Sequence, residues 1–256
     1  MSTPTPITPL EARGLAQRFG RKVVLRGVDL RVDAGEVVGL VGANGAGKTT
    51  LFAILTGLRE GDQGELRFGG ATVREVELAV RARLAYVAHG AQLYPGLSAR
   101  ENLDLHASLR AAIGAKTLPS AAVLGRFGLA EAADRPVGAF SRGMAQRLAL
   151  ARALAGAPDV MILDEPFTAL DREGRELLAV VLAEERARGA AILLSSHDHA
   201  MLVRVADRVV SLERGVIAAE VVRRSAGDPE GKTFTARAAS LWGGDSGDGE
   251  GLAAAL

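Results

Sequence analysis

Gly42-Ala43-Asn44-Gly45-Ala46-Gly47-Lys48-Thr49 has the spacing G-x-x-x-x-G-K-T, which is typical of a phosphate-binding loop, the P-loop. The apolar run at residues 36–41 before it indicates a strand, and the amphipathic run at residues 50–55 after it indicates a helix. The glycines let the backbone adopt positive φ, so that several N–H groups turn towards one point beside the positive end of the helix dipole. This stretch therefore predicts a phosphate site between a buried strand and a helix N-terminus.

The residues of this loop divide into a backbone cradle and two functional side chains. Lys48 is predicted to reach the β- and γ-phosphates, and Thr49 to bind Mg²⁺ through its hydroxyl. The alternative is a glycine-rich strand-to-helix turn in which the lysine is incidental. The predicted nucleotide-binding residues are Gly42, Asn44, Gly45, Ala46, Gly47, Lys48, Thr49 and Thr50.

Composition limits the function classes that remain. The 256 residues carry 31 basic and 30 acidic side chains, a net charge of +1, so no basic excess indicates a nucleic-acid partner. With 48% hydrophobic residues the chain can bury a sizeable core, and the lack of cysteine fits a reducing compartment. The longest apolar runs, such as residues 177–183, are too short to span a bilayer. We therefore expect a soluble chain that works at a membrane only through a partner subunit.

The order of strand and helix patterns predicts an α/β fold. Residues 10–19 and 22–32 are typical of two strands joined by a turn. Between residues 90 and 156 alanine, leucine and arginine recur at helical spacing and the strand signals vanish. Strands and helices then alternate over residues 160–221, which indicates a mainly parallel sheet covered on both faces.

The same patterns divide the chain into a domain and two ends. Residues 1–9 contain three prolines and no periodicity, and we expect a disordered lead. The domain covers residues 10–224, with Ser98 and Glu101 forming a capping box that starts a helix of the inserted helical subdomain. Residues 225–256 are a low-complexity tail that we expect to be disordered.

A second acidic motif follows a strong strand pattern. Residues 160–165, Val-Met-Ile-Leu-Asp-Glu, deliver two carboxylates to the carboxyl edge of the predicted sheet, where ligands bind in open α/β folds. Asp164 is predicted to bind Mg²⁺, and Glu165 to polarise the water that attacks the γ-phosphate. The alternative is that these adjacent acids only cap a helix.

Phe19 lies about one strand before the P-loop. An aromatic ring at that place can stack on an adenine ring. The equally weighted alternative is a half-buried strand phenylalanine with a packing role.

Together these motifs resemble the ATP-binding subunits of ABC transporters over about residues 10–222. Phe140-Ser141-Arg142-Gly143-Met144-Ala145-Gln146-Arg147 resembles the signature loop of that family, Leu-Ser-Gly-Gly-Gln, with Ser141 and Gly143 matching and Arg142 and Met144 departing from it. Ser141 would bind phosphate at a helix N-terminus. Residues 168–171 resemble the D-loop, and His197 resembles the catalytic switch histidine that contacts the γ-phosphate.

His89 stands where the family usually has a glutamine after Tyr-x-x. His89 at this position, together with residues 97–103 and 164–168, resembles the sequence of the ATP-binding subunit of the haem exporter of cytochrome c biogenesis. It also puts a Mg²⁺ contact at His89 in doubt, because imidazole is a softer ligand than a carbonyl oxygen.

The resemblance implies an ABC-type nucleotide-binding domain: a P-loop NTPase with a mainly parallel sheet, a small antiparallel β part and an inserted α-helical subdomain. It implies ATP and Mg²⁺ as cofactors and a homodimer or heterodimer of ATPase subunits. It also implies transmembrane permease subunits that hold the chain at the cytoplasmic face of the inner membrane. The predicted activity is ATP hydrolysis coupled to transport, with haem export as the first hypothesis. The alternatives are the ATPase subunit of another ABC export system or a soluble scaffold ATPase of iron–sulfur assembly.

Overall fold

A computed structural model describes residues 7–72, 81–88, 90–115, 117–223 and 232–242. The strands are β1 (Leu10–Phe19), β2 (Lys22–Val32), β3 (Val37–Val41), β4 (Gln63–Phe68), β5 (Ala71–Thr72), β6 (Leu84–Val87), β7 (Val160–Asp164), β8 (Ala191–Ser195), β9 (Arg208–Glu213) and β10 (Val216–Val222). The helices are α1 (Lys48–Leu55), α2 (Ala99–Ala111), α3 (Ser120–Arg126), α4 (Arg142–Leu154), α5 (Arg172–Ala187), α6 (His199–Val205) and α7 (Lys232–Ala239). Short 3-10 turns cover Ala130–Ala132, Val137–Ala139 and Ser240–Trp242.

The larger sheet confirms the predicted parallel core. Within the described residues it has six strands in the order β10-β9-β3-β8-β7-β6, and only the edge strand β10 pairs antiparallel with its neighbour. Every residue of β3, β7 and β8 is buried, as expected for strands covered on both faces. Alternate side chains of these strands enter two cores, one shared with α2 to α7 and the other with α1 and the smaller sheet.

The smaller sheet is antiparallel. Among the described residues its order is β2-β1-β4-β5, and β1 and β2 have the bounds that the sequence predicted. It packs through Leu25, Val28 and Leu66 against the same core as α1. The sheet thereby covers the helix that follows the P-loop.

The helical block, residues 90–156, lies between β6 and β7, which are neighbours in the sheet despite their separation along the chain. Its first helix begins with the predicted capping box: Ser98 Oγ accepts from the Glu101 N–H at 3.2 Å, and the Ser98 N–H donates to Glu101 Oε2 at 2.7 Å. Phe127 and Leu148 are among its fully buried side chains. The block therefore shares one continuous core with the larger sheet.

Parts of both segments that the sequence predicted to be disordered have defined structure among the described residues. At the start, residues 1–6 lie outside the described residues, but Ile7 is buried in the core of the smaller sheet. Near the end, the prediction of a disordered tail is wrong for residues 232–242, which form α7 and a 3-10 turn.

The C-terminal helix is held by apolar contacts. Phe234 and Ala238 are buried one helical turn apart, and Trp242 stacks on His199 with 4.3 Å between ring centroids. The Arg223 guanidinium also lies 4.5 Å from the centroid of the Phe234 ring. The spacing of Phe234 and Ala238 is typical of a helix, but the glycine-rich composition of the following residues favoured the prediction of disorder for the whole segment.

None of the helices in the described part of the chain has the length and apolar character needed to cross a bilayer.

Candidate nucleotide site

The P-loop joins β3 to α1 and requires its glycines. Gly42, Gly45 and Gly47 have φ of +155°, +80° and +112°. A Cβ atom at Gly42 would lie 2.4 Å from the Leu212 carbonyl oxygen, and one at Gly47 would lie 2.9 Å from Leu25 Cδ2. The backbone can therefore form the cradle only without side chains at these positions, which fits the binding of a phosphate chain.

Lys48 is the cation of this loop. Its ammonium donates to the carbonyl oxygens of Gly42 and, at 3.4 Å, of Ala43. Burial lowers the pKa of Lys48, and the nearby carboxylates of Glu165 and Asp164 act in the opposite direction. The lysine thus lies within electrostatic reach of both acids that the sequence assigned to catalysis and metal binding.

Asp164 is the last residue of β7 and Glu165 follows it, at the carboxyl edge of the sheet. Their exposed fractions are 6% and 8%. Asp164 Oδ1 accepts a hydrogen bond from Ser195 Oγ at 2.7 Å, and the Glu165 N–H donates to the same Oγ at 3.1 Å. Glu165 has a φ of +54°, which places its backbone in the left-handed region.

His197 contacts Glu165 through two groups. Its backbone N–H donates to Glu165 Oε2 at 2.9 Å, and its Nε2 lies 3.5 Å from Glu165 Oε1. The imidazole is 63% exposed, whereas Oε1 is buried without a hydrogen-bond partner in the described part of the chain. The structure therefore brings the two predicted catalytic residues together, with the histidine on the solvent side.

A cleft of about 970 Å³ joins most of the predicted residues. It is also lined by Lys22 and Val24, which the sequence did not single out, and by Tyr86 and Thr168, which belong to the Tyr-x-x motif and to the stretch that resembles the D-loop. The pKa of Tyr86 is raised by burial and by the Asp164 carboxylate. Tyr86 lies on β6, directly beside β7, the strand that ends at Asp164. The predicted residues in the lining are Phe19, Asn44, Gly45, Gly47, Lys48, Thr49, Thr50, Asp164, Glu165 and His197.

Two predicted loop residues, Gly42 and Ala46, line a neighbouring cavity of about 1090 Å³ instead. Phe19 lies in the cleft with an exposed fraction of 43%, and the Arg59 guanidinium is 4.8 Å from the centroid of its ring. This exposure fits the stacking interpretation of Phe19 better than a packing role.

Ser141 and Gly143 lie apart from these residues. Ser141 caps α4, its Oγ accepting from the Met144 N–H at 3.2 Å, and its side chain is exposed. A Cβ at Gly143 would lie 2.8 Å from the Ala169 carbonyl oxygen, so this turn packs against the loop that follows Glu165. Neither Ser141 nor Gly143 is part of the described lining of the cleft.

The donor set of the cleft fits Mg²⁺. The Thr49 hydroxyl and the Asp164 carboxylate are hard oxygen ligands, the type that Mg²⁺ prefers. The described residues contain no group of three or more acidic, histidine or cysteine side chains that would bind a metal alone. A cation here would take its other ligands from phosphate oxygens and water. His89 lies outside the described residues, so its metal contact stays a prediction.

Comparisons with known proteins agree with this geometry. Residues 25–168 match the family described as ABC transporter. The chain is 38% identical over 211 residues to the Nod factor export ATP-binding protein I of Burkholderia lata, covering 82% of this chain and 69% of that protein. It is 40% identical over 210 residues to an aliphatic sulfonates import ATP-binding protein of Pseudomonas aeruginosa, covering 82% and 73%.

Solved structures show the same fold. An ATP-binding subunit of an ABC transporter superposes with a TM-score of 0.77 at 30% identity, covering 97% of this chain and 99% of that chain. A dimeric ATP-binding cassette bound to ADP and Pi gives a TM-score of 0.75 at 23% identity, covering 84% and 99%. The predicted fold class is thereby confirmed.

The finer resemblance to a haem exporter is not supported. The relatives named above are ATP-binding proteins for Nod factor export and for aliphatic sulfonates import. The haem interpretation depended on His89 and a few flanking residues, too few to distinguish one branch of a large family from another.

Proposed function

This chain belongs to the ABC transporter family as an ATP-binding subunit, and on that premise we propose that it hydrolyses ATP to drive a membrane permease. The observation that carries the proposal is the placement of Lys48, Asp164, Glu165 and His197 around one cleft. A phosphate cradle alone would fit many nucleotide-binding proteins. A buried carboxylate held beside that cradle is what hydrolysis requires in addition.

Each side chain has a distinct task in this proposal. Lys48 and the loop N–H groups bind the phosphates, and Phe19 stacks on the base. Glu165 accepts a proton from the water that attacks the γ-phosphate, while His197 orients the Glu165 carboxylate. Thr49 and Asp164 would hold Mg²⁺, which neutralises charge on the phosphate oxygens.

The Ser141 turn supports a dimer. Its exposed hydroxyl and the N-terminus of α4 are suited to bind phosphate, yet they lie outside the cleft of their own chain. We therefore propose that a second ATPase subunit places its Ser141 turn over the nucleotide held by the first. ATP then joins the two subunits, and hydrolysis releases them.

The permease determines the cargo in this proposal. Relatives of similar identity are named for an export system and for an import system, so this type of ATPase serves both directions. We propose that the chain attaches to the membrane through permease subunits, and that its own residues supply the energy of transport and leave cargo recognition to the permease.

The proposal is tested by combining hydrolysis with partner isolation. We expect the purified chain to release phosphate from ATP in the presence of Mg²⁺, and to co-purify from its native host with a multi-span membrane protein. Co-purification with soluble iron–sulfur cluster proteins instead would favour the scaffold ATPase. A parent chain that neither binds nor hydrolyses MgATP would contradict the proposal as a whole.

A further inference from the structure

The hydroxyl of Ser195 is buried beside the two acids of the cleft, within hydrogen-bond distance of both residues. Ser195 is the last residue of β8, has no exposed surface, and pairs with Asp164 of β7 on one side and Leu40 of β3 on the other. It is thus fixed between the strand that carries the acids and the strand that leads into the P-loop. Neither composition nor motif spacing distinguishes it from the other small residues of the sheet.

The two hydrogen bonds of this hydroxyl have a defined polarity. A serine hydroxyl has one proton to donate, and here it donates to Asp164 Oδ1 at 2.7 Å. Its lone pair is then free to accept from the Glu165 N–H, at 3.1 Å. The arrangement is charge-assisted when Asp164 is ionised, and it leaves the other carboxylate oxygen, Oδ2, to act as a ligand.

The second of these bonds holds a residue in an unfavourable conformation. Glu165 has a φ of +54°, which residues with a Cβ rarely adopt and which persists only where the surroundings enforce it. Ser195 holds its N–H, and the His197 N–H holds its carboxylate. The two anchors are the last residue of β8 and the residue two positions after it, so the end of β8 and the turn that follows fix Glu165 at its backbone and at its side chain.

We propose that Ser195 is a positioning residue for ATP hydrolysis, which orients the Asp164 carboxylate as a cation ligand and holds the Glu165 backbone in its bent conformation. The proposal rests on the proposed ATPase function. It assigns to Ser195 no contact with substrate: its effect passes through the two acids. Loss of the hydroxyl would leave the buried Glu165 N–H without this acceptor and free the Asp164 carboxylate to rotate.

The test compares substitutions that change the hydroxyl group and the volume of the side chain independently. Ser195→Ala removes the hydroxyl. Ser195→Thr keeps it and adds a methyl group, and Ser195→Val has nearly the shape of threonine without the hydroxyl. Ser211→Ala is the matched control, because Ser211 is buried on β9 at the same edge of the sheet and donates to Glu213 at 2.9 Å, away from both acids.

Two measurements are made on each full-length variant. The first is the kcat and KM of MgATP hydrolysis. The second is the affinity for a fluorescent ATP analogue in EDTA and over a Mg²⁺ titration, which reports cation binding independently of turnover. Analogue binding in EDTA also shows that a variant is folded.

For Ser195→Ala we expect kcat to fall about tenfold to a hundredfold, and the Mg²⁺ midpoint to rise about tenfold, as for other groups that orient metal ligands. The affinity in EDTA and the KM should stay within about threefold of the parent. Ser195→Thr should restore kcat and the Mg²⁺ midpoint more fully than Ser195→Val does, and Ser211→Ala should behave like the parent.

A parent-like Ser195→Ala, or equal values for the threonine and valine variants, would overturn the positioning role. If Ser195→Ala does not fold, the threonine and valine pair decides alone. A parent chain that fails to hydrolyse MgATP would instead contradict the proposed function, so the two failures are distinguishable.

Discussion

The acids of the cleft and the cations of the helical block are both partly removed from water, but they differ in their neighbours. Asp164 accepts a hydrogen bond from Ser195 Oγ at the end of β8, and Glu165 accepts one from the His197 N–H two residues later. In the helical block, the guanidinium groups of Arg110 and Arg152 lie close enough to His106 to disfavour its protonated form. Arg110 Nε and His106 Nδ1 are buried there without hydrogen-bond partners in the described part of the chain.

The pKa shifts of these three side chains of the helical block follow from burial and from neighbouring charge. Burial lowers the pKa of Arg110 and of Arg152, and burial together with these two guanidinium groups lowers the pKa of His106 to about 4. The acids of the cleft are therefore held in place by hydrogen bonds, whereas burial in the helical block disfavours the charged forms of its cations. Substitutions in the cleft should change rates and affinities, and changes in the helical block should alter assembly and stability.

The largest effect is expected for Glu165→Gln. The amide keeps the shape of the side chain but cannot accept the proton, so hydrolysis should slow about a hundredfold or more while ATP binding persists. The variant should accumulate as an ATP-held dimer, visible by light scattering. Glu173→Gln, an exposed change in the first turn of α5, is the control and should leave hydrolysis unchanged. Parent-like hydrolysis by Glu165→Gln would show that another group is the base.

Lys48→Ala tests the cationic side of the cleft. Charge-assisted hydrogen bonds contribute about 1.5–3 kcal/mol each, so loss of the ammonium should weaken ATP binding about a hundredfold. Isothermal titration with ATP measures this. Lys22→Ala removes the same charge from an exposed position of the cleft lining and should weaken binding by less than about threefold. Similar losses for both variants would mean that only the net charge of the cleft matters.

Ser141→Ala extends the comparison to the helical block. Loss of the helix cap should cost about 1 kcal/mol of stability. In a Glu165→Gln background it should also weaken the ATP-held dimer, without changing ATP affinity of the monomer. Ser98→Ala removes the matching cap of α2 and should reduce stability alone. If both variants dimerise equally well with ATP, Ser141 is only a cap.

Local patterns made much of the fold and cleft predictable. The strands β1 and β2 have their predicted bounds, and the capping box at Ser98 lies where the sequence indicated it. In each case the signal is contained within neighbouring residues. The P-loop and the acids at the end of β7 could be placed at one edge because parallel strands share their carboxyl ends.

Features that depend on contacts between distant segments were not predictable. Ser195 gained its role from pairing with Asp164, which lies 31 residues earlier. The docking of Phe234 depends on Arg223 and on the core beside α6, so composition alone suggested disorder. The haem resemblance failed for another reason: a few residues near His89 cannot outweigh similarity that extends over most of the chain.

The smallest expected effect is the pH dependence of stability caused by His106. Its pKa of about 4 in the folded chain lies below the ordinary value of 6.5. Between these values the unfolded chain binds a proton that the folded chain does not, so the free energy of unfolding falls as the pH falls from about 6.5 to 4. His106→Gln removes this contribution. The melting temperature of the variant should therefore decrease less than that of the parent between pH 7 and pH 5, by a few degrees.

Because carboxylates also titrate in acid, the comparison uses the difference between the two slopes of melting temperature against pH, measured by thermal unfolding in matched buffers. Arg110→Met sharpens the test, since removal of one repelling charge should raise the pKa of His106 and reduce the acid loss in part. Parallel melting curves for parent and His106→Gln across this range would mean that the histidine is not the group through which the helical block responds to pH.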